Sequence, residues 1–165
     1  MDLRKTVRLA MLLSLSIVLN LIESTIPVAG MIMPGAKLGI ANAVVIIVIY
    51  LYGFKEALFL SVTRVLLTGM IKTGLFNIIF FFSFSGALLS VLFMFLCKKF
   101  TGLSIVGISI VGAIAHSAGQ ILVAIIFLQT VNIIFYLPYL LVLSVPTGIV
   151  VGMTAKEVLK FHNQL

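Results

Sequence analysis

The sequence predicts an all-α integral membrane protein: one bundle of six transmembrane helices occupying residues 1–165 as a single domain. Three observations lead there. Apolar residues make up 62% of the chain and charged residues only 9%, against roughly 45–50% and about 25% in soluble domains. A mean hydropathy of +1.34 leaves lipid as the solvent that fits. The apolar residues fall into long charge-free runs separated by short polar breaks. Finally, the basic residues segregate. With the N-terminus inside, Arg4, Lys5, Arg8, Lys55, Lys98, Lys99, Lys156 and Lys160 lie at cytoplasmic helix ends, and only Lys37 and Lys72 lie outside. That bias predicts a multi-pass protein of the cell membrane with both termini cytoplasmic.

Helix 1 is expected at about residues 9–22, directly after three basic residues. This start resembles a signal peptide, but no A-x-A-like site follows, so the segment is expected to stay. The stretch 23–42 then breaks the apolar pattern with Pro27, Gly30, Pro34, Gly35 and Gly39. Proline fixes φ and removes a donor, and glycine permits positive φ, so residues 23–37 read as an outer loop. The loop also carries Ile26, Val28, Met31, Ile32 and Met33, which suits a lid or rim folded over a cavity. Helix 2 is expected at about 38–52, helix 3 at about 57–71, helix 4 at 75–97, helix 5 at 103–129 and helix 6 at about 131–155. A span needs ~20 residues at 1.5 Å rise, so helices 2 and 3 are short and helices 5 and 6 are long. Uneven lengths of this kind suit a bundle with a cavity on one side.

Small residues recur on three helices. Ser144, Gly148 and Gly152 on helix 6, and Gly112, Ala115 and Gly119 on helix 5, fit close packing inside the bundle. For Ala10 and Ser14 on helix 1, packing inside the bundle and docking to another subunit both fit.

Catalytic patterns are missing from the sequence. One aspartate, Asp2, and three dispersed glutamates give no Asp-rich Mg²⁺ motif for diphosphate chemistry, and no phosphate loop is present. His116 and His162 fall on different elements, so no metal site and no cofactor is expected. Cys97 is alone and excludes an internal disulfide. The net charge of +7 lacks the basic stripe interleaved with aromatics that nucleic acid requires. The chain reads as a binding protein, not an enzyme.

The polar residues inside the apolar runs carry the most information. Arg64 lies nine residues beyond Lys55, roughly 13 Å along a helix, and buried arginine costs ~2.5–3.5 kcal/mol on insertion scales. It is either a binding residue or half of an ion pair with Glu23. His116 and Gln120, four apart, share a face of helix 5. Asn42, Asn77, Gln129, Asn132 and Tyr136 are expected at outer helix ends. The substrate-binding candidates are therefore Glu23, Lys37, Asn42, Arg64, Lys72, Asn77, His116, Gln120 and Tyr136. Lys37, Arg64 and Lys72 outnumber Glu23 by a formal two charges, which points to an anionic group on the ligand. Apolar loop residues and helix-4 phenylalanines (Phe76, Phe80, Phe81, Phe82, Phe84) would cover an apolar remainder, making the ligand amphiphilic.

The run PGAKLGIANAVVIIVIYLYGFKEAL, preceded by RLAMLLSLSIVLNLIESTIP and followed by SVTRVLLTGMI, resembles the membrane family labelled heptaprenyl diphosphate synthase component I. That family is grouped with the substrate-binding S components of energy-coupling factor (ECF) transporters, and the resemblance spans essentially the whole chain. It implies six helices, cytoplasmic termini, and an outer substrate site capped by the loop between helices 1 and 2. It also implies partners, a transmembrane T subunit and two ATPase subunits, for uptake of a vitamin-like molecule. The T subunit of such systems meets an alanine-x-x-x-alanine face on helix 1; Ala10 matches its first position and Ser14 stands in the second. The alternative is a membrane accessory of prenyl diphosphate or quinone biosynthesis.

Overall fold

A helix in lipid hides its backbone polar groups by bonding them internally, so each long apolar run becomes a helix. The computed structural model describes residues 3–25 and 37–162, and among these there are six α-helices and no strand. They are α1 (Leu3–Glu23), α2 (Asn42–Leu51), α3 (Phe54–Thr68), α4 (Ile78–Phe100), α5 (Ile105–Leu128) and α6 (Leu137–His162). A π-helical turn (Gly69–Thr73) continues α3, and a 3₁₀ segment (Val131–Tyr136) leads into α6. The outer-loop lid expected over residues 26–36 lies outside the described residues.

Four stretches are long and apolar enough to cross a bilayer: α1, α4, α5, and the 3₁₀ segment continued by α6. The chain is thus a membrane protein with transmembrane helices. At 1.5 Å per residue α2 rises only about 15 Å and α3 about 22 Å, short of the ~30 Å hydrocarbon core. Helix 2 begins four residues later than the sequence suggests. Gly39 has φ +88°, which no right-handed helix accommodates, so the chain turns there and α2 starts at Asn42. Helix 6 extends past its expected end to His162, and α4 is shifted toward the basic end because Asn77 caps it, accepting from Ile79 N at 3.2 Å.

α5 is the central post, packed along its length between α4 and α6. Close approach depends on its glycines and those of α6. A Cβ on Gly148 would stand 2.7 Å from Ile110 Cα, and one on Gly152 2.6 Å from Val106 Cα. The small-residue faces of helices 5 and 6 therefore pack within the bundle. α2 is buried on all sides, with residues 41–49 inside; its Val44–Ile49 run meets Leu60, Val91, Met94, Ile108, Ala155 and Leu159.

α1 inverts the soluble pattern. Its buried residues are all polar (Ser16, Asn20 and Glu23, one helical face), while Val7, Met11, Leu15, Val18 and Ile22 point outward. In lipid the apolar face needs no cover and the polar face does. α3 answers with Ser61, Arg64 and Thr68 buried on one face. The interior where α1 and α3 meet is consequently polar.

Candidate functional site

The polar faces converge at the end of the bundle opposite Lys98, Lys99, Lys156 and Lys160. A three-residue strap, Lys37–Leu38–Gly39, lies across them. Gln120 on α5 clasps its start on both sides: Lys37 N donates to Gln120 Oε1 at 3.0 Å, and Gln120 Nε2 donates to Lys37 O at 2.8 Å. Glu23, at the last turn of α1, holds the strap's other end by accepting from Gly39 N at 2.5 Å. Lys37 Nζ turns inward to Asn20 Oδ1 at 3.2 Å. Gly39 is required twice over: its φ is positive, and a Cβ there would stand 2.8 Å from Asn42 Nδ2.

Beneath the strap, Asn42 links three helices. Its Nδ2 donates to Ser90 Oγ on α4 at 3.0 Å, and its Oδ1 accepts a long 3.4 Å contact from Arg64 Nη2 on α3. Arg64 is 1% exposed, the largest fully buried side chain among the described residues. Its Nε and Nη1 have no hydrogen-bond partner among the described residues, and neither has Glu23 Oε2. The two opposite charges are near enough to interact electrostatically, yet the only direct ion pair among the described residues is Lys5–Glu56, at 2.5 Å near the other end. The ion pair between Arg64 and Glu23 weighed in the sequence is therefore not formed: Asn42 turns one group and Gly39 N the other. His116 completes the floor, its ring lodged against Gly86 of α4, where a Cβ would stand 2.9 Å from Cε1 and Nδ1.

Thr68, one turn from Arg64, lines a void of about 10 Å³ together with Asn20, Lys37, Val65, Gly69, Lys72, Phe80 and Ser83. That volume holds about one water molecule, so the cluster is closed in this structure. Lys72, in the π-helical turn, is exposed and donates to Ser24 Oγ at the rim. Lys37 is pushed down to about 8 by burial, with Arg64 and Lys72 reinforcing the shift and Glu23 opposing it.

Of the nine binding candidates, Glu23, Lys37, Asn42, Arg64, His116 and Gln120 share this cluster and Lys72 sits at its edge. Asn77 is an exposed helix cap and Tyr136 is an exposed residue of the 3₁₀ segment, 44% accessible; neither joins the cluster. Four participants were not singled out in the sequence. Asn20 and Ser16 precede Glu23 at helical spacing, a pattern that was readable; Gly86 and Ser90 sit within the phenylalanine-rich helix 4 with no local signal of their role. Of the phenylalanines, Phe80 lines the void and stacks on Phe84 at 5.9 Å, while Phe76 is exposed.

At the basic end, α1 and α3 frame an apolar groove of about 420 Å³ between Leu9, Ala10, Leu13, Phe59 and Leu60, with Lys5, Lys55 and Glu56 at its mouth. Ala10 and Ser14 are both exposed, so this small-residue face does not pack inside the bundle.

Chemically the cluster offers donors and acceptors for binding. Among the described residues no three metal-ligating side chains come together. No curated protein and no solved structure matches the chain significantly. A family model described as heptaprenyl diphosphate synthase component I matches residues 12–158, a span that contains every residue of the buried cluster, and the chain belongs to that family.

Proposed function

We propose that this protein is the substrate-binding S component of an ECF-type importer in the cell membrane, with six passes and both termini cytoplasmic. It captures a small anionic, amphiphilic molecule at the outer face for uptake driven by a T subunit and two ATPase subunits. It is a binding subunit and not an enzyme, and the prenyl synthase in its family's label is an association. The observation that supports this reading most is the convergence of Glu23, Lys37, Asn42, Arg64, His116 and Gln120 from four parts of the chain into one buried polar cluster. Buried ionisable groups in a membrane bundle are expensive and mark binding or conduction paths by default. The exposed Ala10–Ser14 face beside the α1–α3 groove supports docking, since small residues let a partner helix approach closely.

Purification of the tagged chain from its native membrane tests the reading. A T subunit and two ATPases are expected to accompany it, and Ala10→Leu is expected to release them while the chain keeps its fold. A soluble prenyl synthase subunit in their place would overturn the importer in favour of a biosynthetic accessory.

A further inference from the structure

The buried cluster holds an arrangement that packing alone does not explain. Arg64 and Glu23 carry opposite charge inside the same polar interior, and each keeps one side unsatisfied: Nε and Nη1 on the guanidinium, Oε2 on the carboxylate. Both residues are at least nine-tenths buried, at 1% and 4% exposure. Leaving buried charged groups short of partners is costly, and direct pairing would relieve both at once. Instead Arg64 donates to Asn42 Oδ1 and Glu23 accepts from Gly39 N. Two held groups with complementary free edges define what fits between them. The free donors of Arg64 take an anionic oxygen, and the free oxygen of Glu23 takes an N–H or O–H.

Charge sets the rest. Inside the cluster Lys37 and Arg64 face Glu23 alone, a formal surplus of one positive charge; Lys72 stays at the exposed rim. A ligand bearing one negative charge and a neutral donor brings the interior to zero, whereas a dianion or a cation does not. Val65 and Phe80 beside the void give an apolar remainder a surface to lie against. The void of about 10 Å³ is too small for such a molecule, so the cluster must open for a ligand to enter.

We infer that the site accepts a monoanionic acid with an adjacent hydroxyl or amide N–H on an apolar tail, its anion on Arg64 and its donor on Glu23 Oε2. The inference rests on the cluster being the substrate site and names the class of substrate.

Three related probes test it: 2-hydroxyoctanoate (acid and donor), octanoate (acid without donor) and 1,2-octanediol (donor without acid). Binding is measured calorimetrically on the full chain in lipid nanodiscs. The hydroxy acid is expected to bind about tenfold more tightly than octanoate, as one charge-assisted hydrogen bond allows, and the diol not at all. Glu23→Met is expected to equalise the two acids, Arg64→Gln to weaken both about tenfold or more, and Lys156→Met, at the exposed opposite end, to change neither. Should either Glu23→Met or Arg64→Gln fail to fold, the order of the three probes on the unaltered chain decides alone. Equal binding of all three, no binding of either acid, or a hydroxyl advantage that survives Glu23→Met overturns the inference. The importer reading fails separately, by the absence of T and ATPase partners, whatever the probes do.

Discussion

Replacing Gly119 by alanine tests whether the α4–α5 crossing is as tight as it must be to place His116 and Gln120. A Cβ there would stand 2.8 Å from Ser85 O, 2.9 Å from Gly86 Cα and 3.0 Å from Gly86 N. Ordinary carbon contacts lie at about 3.5–4.0 Å, and all three neighbours are backbone, so no rotamer change relieves the clash. The helices must part. Overpacking of this kind costs ~1–3 kcal/mol. Parting also stretches the 2.9 Å bond from Ser85 Oγ to Gly119 O, worth ~1 kcal/mol. Against this, alanine gains ~1 kcal/mol of helix propensity over glycine. The net expectation is ~1–3 kcal/mol of destabilisation. Gly107 supplies the control on the same helix: its nearest neighbours, Leu103 Cβ and Cδ2, would lie at 3.5 Å, so Gly107→Ala is neutral or stabilising by up to ~1 kcal/mol. Unfolding titrations in mixed micelles measure both. Gly86→Ala presses the same crossing from the other side, and the double variant is expected to lose less than the sum, since one separation relieves both. Equal effects of Gly119→Ala and Gly107→Ala would refute the reasoning.

Lys37 gives a pH signature. Between about 8 and 10.5 the unfolded chain holds a proton that the folded chain has released, so folded stability is expected to rise with pH through that window. Octanoate binding is expected to fall as pH climbs through about 8, because the neutral amine no longer attracts the acid; Lys37→Met flattens both curves. Gln120→Leu removes the two bonds that clasp the strap, ~2 kcal/mol together, and is expected to accelerate amide exchange at Lys37 roughly 30-fold without changing global unfolding much. For orientation, single cysteines at Ser24 and Thr101, in a chain lacking Cys97, are expected to react oppositely with a membrane-impermeant reagent in intact cells, Ser24 from outside; reaction of Thr101 alone overturns cytoplasmic termini.

Which polar residues fall within apolar runs was readable from the sequence, but the tertiary partners they meet were not. Counting from Lys55 placed Arg64 inside an apolar run, and a four-residue spacing put His116 and Gln120 on one face; in the structure Arg64 is buried in α3, and His116 and Gln120 are both buried on α5. The same counting treated Asn42 and Asn77 alike, as polar residues at outer ends. Asn77 spends its oxygen on Ile79 N of its own helix, whereas Asn42 is buried and joins α3 to α4. The difference arises from Gly39: its positive φ turns the chain inward and seats Asn42 among three helices, a consequence of tertiary packing and not of local pattern. Glu23 is the first charge after the apolar run, so counting charge-free residues ends helix 1 just before it. In fact α1 continues to it, since Ser16, Asn20 and Glu23 form one face whose partner, the Ser61–Arg64–Thr68 face, lies far along the chain. Ala10 and Ser14 had two readings in sequence, and only their exposure separates packing inside the bundle from availability to a partner.

The all-round burial of α2 has a consequence for how the protein is made. A ribosome delivers the chain from its N-terminus, so α2 leaves the exit tunnel early, too short to bridge the membrane and carrying Asn42 at its leading end. Its walls include Ala155 and Leu159 of α6, which are synthesised last. Until α6 arrives, α2 has no complete enclosure and Asn42 no stable company, so the second helix in the chain must be among the last to find its place. Nascent chains halted before residue 137 would then leave α2 open to cross-linking by the insertion machinery, and release of the remaining residues would close it off.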